Sequence, residues 1–329
     1  MTQSRWATGR PVRSLHWDGE DLVDWVDGGT RWRPDGVRID SHVRYPYVFD
    51  RAVVSISGRY QVLYTECGTK GLVLDAGQVL REINRSYYHA NDYEYPIAMG
   101  RLPDGREVLV HCPDYYNKLE LEDIASGHRL TQRTDRGPDV FHSRLSLSPG
   151  GRRLLSGGWL WDPFGVAEVF DLTDVLRDQY AMDRRDVALG RALDTEVVAS
   201  CWLTDDLLVV AAAAATDEED SAEEEDQALG PGKLGVWSID SAGWLHRSQL
   251  DYRCGLLLSC GPAVLGLYDH PKLIDPATGA ILAQWPDLLS GQREHPYRPR
   301  PLPPIAVHPS GNRFAIVQDS AIVVAAISV

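Results

Sequence analysis

Short apolar runs alternate with turn residues along this chain, and seven of the turns recur at a nearly regular spacing. The turns are centred on Gly19, Gly58, Gly105, Gly151, Asp206, Gly261 and Gly311, with gaps of 39, 47, 46, 55, 55 and 50 residues. Each turn joins two apolar runs that have the length and composition of strands. A repeat of roughly 40–50 residues without a helical period is typical of the blades of a β-propeller.

A second element recurs between these turns: an apolar strand that ends in aspartate and continues into a glycine turn. The clearest copy is Lys-Leu-Ile-Asp-Pro-Ala-Thr-Gly at residues 272–279, and related copies lie at 72–77 and 119–127. The aspartate side chain caps the turn by accepting hydrogen bonds from its main chain, and glycine supplies a positive φ. We expect an outer strand after each such turn, at 78–84, 129–133 and 281–285.

These two motifs together resemble the repeats of WD40-like and YVTN-like β-propellers. The resemblance covers nearly the whole chain, from about residue 12 to residue 329, and it concerns architecture rather than any one activity. Two features of true WD40 repeats are missing: no Gly-His dipeptide opens the blades, and the one Trp-Asp pair, at 161–162, falls in a predicted loop. The resemblance therefore implies a propeller and leaves its function open.

The chain is accordingly predicted to be all-β, with residues 1–329 forming one seven-bladed propeller domain. The predicted blades cover 12–44, 50–85, 95–133, 142–193, 196–252, 254–285 and the segment from 304 onward. The last segment has room for three strands, so the N-terminal stretch 2–8 is expected to complete that blade and close the ring. Six blades, with 12–44 as an accessory hairpin, are the alternative. One short helix is expected at 172–182, capped by Thr173.

Charge and composition narrow the classes of partner. The net charge is −14 and the pI is about 5.1, so nucleic acid and anionic membrane surfaces are not expected partners. No apolar run approaches the ~18 residues of a membrane span. The five cysteines form no Cys-x-x-Cys pair and are odd in number, which argues against zinc and against a disulfide framework. We expect a cytoplasmic monomer without cofactor or metal.

The loops that join successive blades should share one face with the loops between the second and third strands of each blade. Residues 86–95 alone hold four tyrosines, a histidine and two carboxylates. The candidate binding residues on this face are Tyr87, Tyr88, His89, Asp92, Tyr93, Tyr95, Tyr115, Tyr116, Trp159, Trp161, Tyr268 and His270. Tyrosine and tryptophan are favoured at interaction hot spots. Packing of the tyrosines between blades is the alternative interpretation.

Two irregular segments interrupt the repeat. An acidic insertion at about 216–232 contains the run Asp-Glu-Glu-Asp-Ser-Ala-Glu-Glu-Glu-Asp, which predicts a solvated loop that either attracts a basic partner or aids solubility. A proline- and arginine-rich connector at about 287–304 joins the last two blades. It is expected to be a stiff surface link, or else to direct its arginines at acidic residues of a ligand or of the insertion.

The leading functional hypothesis is a non-catalytic scaffold that binds a protein or peptide on this aromatic, acidic face. The alternative is a propeller enzyme or a small-ligand (sugar) binder with its site at the channel mouth, carried by His111, Asp114, His142 and Arg144. A metal site would require His89, His111, His142 and His270 to converge, and their spacing matches no local ligand motif. No Ser-His-Asp signature or phosphate loop is present.

Overall fold

A computed structural model describes residues 2–134, 137–161, 164–184, 187–214 and 228–327. Seven small antiparallel sheets form a ring, so the prediction of an all-β, seven-bladed propeller is confirmed. The segment predicted as the first blade forms its own four-stranded sheet, which rules out the alternative of six blades plus an accessory hairpin. The acidic run at 217–226 and Asp162 lie outside the described residues.

Strand β1 (Gln3–Ala7) precedes the first blade. Blade one contains β2 (His16–Asp18), β3 (Asp21–Asp24), β4 (Thr30–Trp32) and β5 (Arg38–Ile39). Blade two contains β6 (Arg51–Val54), β7 (Tyr60–Tyr64), β8 (Lys70–Asp75) and β9 (Gln78–Asn84). Blade three contains β10 (Ile97–Arg101), β11 (Glu107–His111) and β12 (Glu120–Asp123).

Blade four is built from β13 (Ser146–Leu147), β14 (Arg153–Ser156) and β17 (Glu168–Asp171), with a hairpin of β15 (Trp159–Leu160) and β16 (Phe164–Gly165). Helix α1 (Leu172–Arg177), a 3-10 helix (Gln179–Asp183) and α2 (Val187–Arg191) follow. Blade five contains β18 (Val197–Trp202), β19 (Leu207–Ala212), β20 (Lys233–Ser238) and β21 (Gly243–Gln249). Within the described ranges, no helix has the length and apolar character needed to cross a membrane.

Blade six contains β22 (Leu256–Cys260), β23 (Ala263–Ile274), β24 (Ile281–Gln284) and β25 (Gly291–Gln292). The first half of β23 pairs with β22 and its last residues pair with β24. Blade seven contains β26 (Ile305–Val307), β27 (Arg313–Gln318) and β28 (Ala321–Ala326).

The first strands of the blades form the inner ring, and the hydrophobic core lies between neighbouring blades. Contacts run from β6 through β10, β13, β18, β22 and β26 to β2. His16 of β2 and Ala52 of β6 lie side by side on the channel wall, which brings the ring back to its start. The packing between blades two and three is representative, because Val62 and Val73 of one blade share a buried cluster with Leu109 of the next. Stability therefore depends on every blade having two neighbours.

All seven glycine or aspartate turns connect the first strand of a blade to its second, as the repeat predicted. Gly151 shows why the residue type matters, since its φ is +72° and an added Cβ would lie 1.6 Å from the Arg101 carbonyl oxygen. The aspartate turns also behave as expected. Asp275 accepts from the Ala277 N–H at 3.0 Å, and Gly279 has a φ of +71°.

Two local expectations were wrong. Residues 129–133 form no outer strand, because the Leu121 N–H donates to the Thr131 hydroxyl at 2.9 Å and only the Glu122–Arg129 bridge remains. The helix that starts at Leu172 is capped by Asp171 rather than by Thr173. The Asp171 carboxylate accepts from the Thr173 N–H at 2.8 Å, so the aspartate that ends the third strand also starts the helix.

The N-terminal strand closes the ring, as predicted. Strand β1 pairs antiparallel with β28, in a register that runs from Gln3 opposite Ala325 to Ala7 opposite Ala321. Trp6 is 8% exposed and packs in a cluster that also holds Trp32 of blade one. The strand thus joins the two ends of the chain and supports the contact between blades seven and one.

Truncation of Trp6 should therefore destabilise the whole propeller. We expect Trp6→Ala to lower the free energy of unfolding by about 3 kcal/mol, as for a buried aromatic side chain. Arg5→Ala changes an exposed neighbour in the same strand and is the control, with little expected effect. Urea unfolding followed by tryptophan fluorescence compares the two, and equal losses would contradict the role given to Trp6 in closure.

Candidate functional site

The two faces of the ring differ in the length of their loops. The seven short turns lie on one face, which we call the short-turn face. Because strands in a blade are antiparallel, the loops between blades and those between second and third strands lie on the other. This long-loop face carries residues 86–95, 112–119, 137–145, 157–161 and 164–167, together with the connector at 287–304.

Eight rings from these loops meet in one aromatic cluster on the long-loop face. Its members are Tyr88, His89, Tyr93, Tyr116, Phe141, Trp159, Trp161 and Tyr297. Phe141 lies at the centre, stacked on Trp159 with ring centroids 3.9 Å apart and on Tyr116 with centroids 4.4 Å apart. Tyr297, from the connector, contacts Trp159 with centroids 4.8 Å apart.

The aromatic cluster has a buried base and an exposed rim. Phe141 is fully buried and Trp159 is 2% exposed, whereas Trp161 is 54% exposed and Tyr88 is 48% exposed. From the sequence, packing of these rings in the interior and their exposure on the surface were alternatives. The structure combines the two, because the rings of the base are buried and those of the rim are exposed. The rim rings rest on a fixed layer of other rings, which limits their side-chain freedom.

Polar groups are placed around the aromatic cluster. The Tyr116 hydroxyl donates to Asp139 at 2.5 Å, and the His89 Nδ1 lies 2.9 Å from an Asp92 carboxylate oxygen. Loop 86–95 is itself organised by Arg85, whose guanidinium lies 4.4 Å from the Tyr93 ring centroid. Arg85 also donates to the Ala90 and Tyr93 carbonyls, and this buried cation holds the loop in shape.

Most of the predicted binding residues belong to this region. Six of them are in the aromatic cluster: Tyr88, His89, Tyr93, Tyr116, Trp159 and Trp161. Tyr87 and Tyr115 are exposed on the same loops, and Asp92 contacts His89. Tyr95 is instead buried against Tyr64, with centroids 5.6 Å apart, and burial raises its pKa.

Tyr268 and His270 lie elsewhere, in β23 of blade six, where Tyr268 contacts Arg253 and His270 contacts Gln284. Two residues of the aromatic cluster were missing from the predicted set. Phe141 is an isolated aromatic just before a strand, and Tyr297 is one aromatic among prolines and arginines. Neither position carries a local pattern that marks it as part of a site.

The connector crosses the mouth of the central channel. It leaves blade six and enters blade seven, yet Arg293 donates to Glu66 of blade two at 2.6 and 2.8 Å. Farther along, the Glu94 N–H donates to the Pro296 carbonyl, and His295 contacts Glu196 at 3.1 Å. Glu66 and Glu94 lie on the opposite side of the ring, whereas Glu196 lies next to blade six at the start of blade five, so the connector spans the opening.

A buried network of charges holds the connector there. Glu66 accepts from Arg51 at 3.0 Å as well as from Arg293, and Glu94 accepts from Arg144 at 2.9 Å. Burial raises the pKa of Glu66, but Arg293 and Arg51 outweigh it and hold that pKa below its ordinary value. The carboxylate is therefore charged at neutral pH, and each ion is compensated by another.

The four candidate catalytic residues have separate structural partners. His111 Nε2 lies 3.1 Å from Glu122, and Asp114 accepts from Arg129 at 2.6 Å within the same blade. His142 Nδ1 lies 3.0 Å from the Ser156 hydroxyl, whereas Arg144 belongs to the network beneath the connector. In the ranges that the structure describes, no group of three or more side chains is arranged to hold a metal.

Below the connector the channel contains a cavity of about 550 Å³. Its wall is largely apolar. Trp202 and Leu257 of the wall lie in inner strands, and Leu145 directly precedes one. His16 also lines it, and burial lowers the pKa of this histidine to about 4, although the nearby Ala52 main chain acts in the opposite direction. His16 is therefore neutral at pH 7.

Loss of Arg293 should destabilise the fold, because Glu66 and Glu94 would each lose one of their two arginine partners. We expect Arg293→Ala to cost about 3 kcal/mol or more in the free energy of unfolding. Arg59→Ala removes an exposed arginine that pairs with Asp75 on the short-turn face, and should have only a small effect. Chemical denaturation measures both, and a small loss in Arg293→Ala would show that the network does not hold the connector.

His16 should make stability depend on pH. The unfolded state binds a proton near pH 6.5 and the folded state only near pH 4, so acidification through this window favours unfolding. As the pH falls from 6.5 to 4, the free energy of unfolding of the wild type should decrease by up to about 1.4 kcal/mol per pH unit relative to that of His16→Gln. Urea titrations of both proteins at several pH values test this, and parallel curves would contradict it.

No known protein-family model matches the chain, and no curated protein matches it. The propeller fold and the geometry of the long-loop face are therefore the observations on which a function rests.

Proposed function

We propose that this protein is a non-catalytic scaffold that binds a protein or peptide segment on its long-loop face, with the aromatic cluster as the anchor site. The observation that carries the proposal is the pairing of exposed rings with a buried aromatic base. Trp161 and Tyr88 present large apolar surfaces, and Phe141 and Tyr116 support them from below. A propeller is a rigid frame for loops of this kind.

The energetics of recognition favour such a surface. Binding costs side-chain entropy wherever a flexible group must be ordered, and rings that already stack on neighbours have less to lose. Tryptophan and tyrosine dominate measured hot spots for this reason and because of their large contact area. The Tyr116–Asp139 and His89–Asp92 pairs place polar groups next to the rings, where a peptide main chain needs partners.

The alternative of an enzyme or sugar binder at the channel mouth has weaker support. Arg144, one of the candidate catalytic residues, already donates hydrogen bonds to Glu94 and to the Val198 and Glu294 carbonyls. His142 is buried beside Ser156 and is 2% exposed. The connector also lies across the mouth where a substrate would enter.

Selection from a phage-displayed random peptide library tests the proposal. We expect peptides that bind the wild type and lose about tenfold or more in affinity with Trp161→Ala or Tyr88→Ala, the loss of a hot-spot ring. Tyr47→Ala is the matched control, because Tyr47 is 39% exposed and lies outside the aromatic cluster. Failure to select any binder, or binders indifferent to Trp161 and Tyr88, would overturn the proposal.

A further inference from the structure

A second cavity adjoins the aromatic cluster on the long-loop face. It measures about 280 Å³, and we call it the arginine pocket. The side chains that matter here are Arg253, Tyr268, Glu294, Tyr297, Arg298 and Arg300. Tyr297 belongs both to this pocket and to the aromatic cluster, so one bound segment can occupy the two sites together.

The arginine pocket is locally cationic although the chain carries a net charge of −14. Arg253 is compensated by Glu294, whose carboxylate lies 3.0 Å away. Arg300 donates to the neutral Gln292 side chain at 2.7 Å, which leaves its charge uncompensated. Two exposed guanidinium groups, those of Arg298 and Arg300, therefore face the pocket without a matching carboxylate among the described residues.

Arg298 is the less constrained of the two. Its guanidinium lies 5.2 Å from the Tyr297 ring centroid, and within the described ranges it has no hydrogen-bond or ion-pair partner. A planar guanidinium binds a carboxylate through two parallel hydrogen bonds, so such a group beside aromatic rings is suited to an acidic side chain.

The main chain fixes the position of Arg298. The φ of this residue is +45°, a conformation that favours glycine. The Arg298 N–H donates to the Asp92 carbonyl, which fixes the turn beside the aromatic cluster. This turn holds the Arg298 side chain next to Tyr297 and the aromatic cluster.

We propose that the arginine pocket binds an aspartate or glutamate side chain of the same segment that occupies the aromatic cluster. The partner is then an acidic peptide segment with an aromatic or aliphatic anchor near the acidic residue. This inference rests on the proposed function, and it adds the chemistry of the partner. Recognition combines apolar contact on Trp161 and Tyr88 with a charge-assisted pair at Arg298 and Arg300.

The test uses the peptides selected on the wild-type protein. We expect them to be enriched in Asp and Glu, and replacement of the acidic residue by its amide should weaken binding about tenfold. Arg298→Gly and Arg300→Gln should weaken binding of the acidic form by a similar factor and leave the amide form unaffected. Binding of the acidic form should also fall as salt is raised.

Arg298→Gly separates binding from folding, because glycine adopts the positive φ of this position without strain. Its free energy of unfolding should be no lower than that of the wild type. Arg59→Gln removes an exposed positive charge on the short-turn face, and is the control for a general change in net charge.

The outcomes distinguish the two proposals. Peptides that require Trp161 but show no acidic preference, and no loss with Arg298→Gly, would overturn the arginine pocket and leave the scaffold function standing. A library that yields no binder at all would overturn both. An equal loss with Arg59→Gln would show a long-range charge effect and would also overturn the pocket.

Discussion

The pairing of β1 with β28 is the constraint on which the rest of the structure depends. Each blade buries its apolar residues only against its neighbours, so an open ring would leave the outer blades half-exposed. The register of Gln3 opposite Ala325 joins segments at the two ends of the chain, and Trp6 packs at the resulting seam. In the closed ring, every hydrophobic cluster between blades is covered by a blade on each side. The loops on the long-loop face are then held at fixed distances from one another.

The closed ring creates a channel, and the connector covers its mouth. Arg293 reaches across to Glu66, and Glu94 joins that pair to Arg144. Buried ion pairs add little net stability but are costly to break, so their main effect is to specify one position for the connector. That position brings Tyr297 onto Trp159 and places Arg298 beside the same rings. The candidate site is thus a consequence of how the channel is closed.

The sequence pattern predicted the structure correctly where the hydrogen bonds and turns involve residues close together in the chain. The turn at Gly151 and the cap at Asp275 each depend on residues close in the chain, and both follow the sequence pattern. The pattern failed at residues 129–133, where the Thr131 hydroxyl takes the place of a main-chain partner. It also misplaced the helix cap, because Asp171 serves a strand end and a helix start together. In both places a side-chain oxygen accepts a hydrogen bond from a main-chain N–H, and the pattern of apolar residues does not reveal such a bond.

The sequence by itself determined the repeat, the propeller fold and the aromatic character of the long loops, because these depend on periodicity and composition. It predicted seven blades and a closing N-terminal strand, and the separate four-stranded sheet of blade one decided between seven blades and six. Only the tertiary structure decided which aromatic residues meet. Tyr88, Tyr116 and Trp159 come from three loops, and they converge on Phe141 because adjacent blades hold those loops side by side. Tyr297 joins them from across the ring through an ion pair between Arg293 and Glu66, residues far apart in the chain. Contacts between residues so distant in sequence have no local signature, so the ring geometry alone assembles the site.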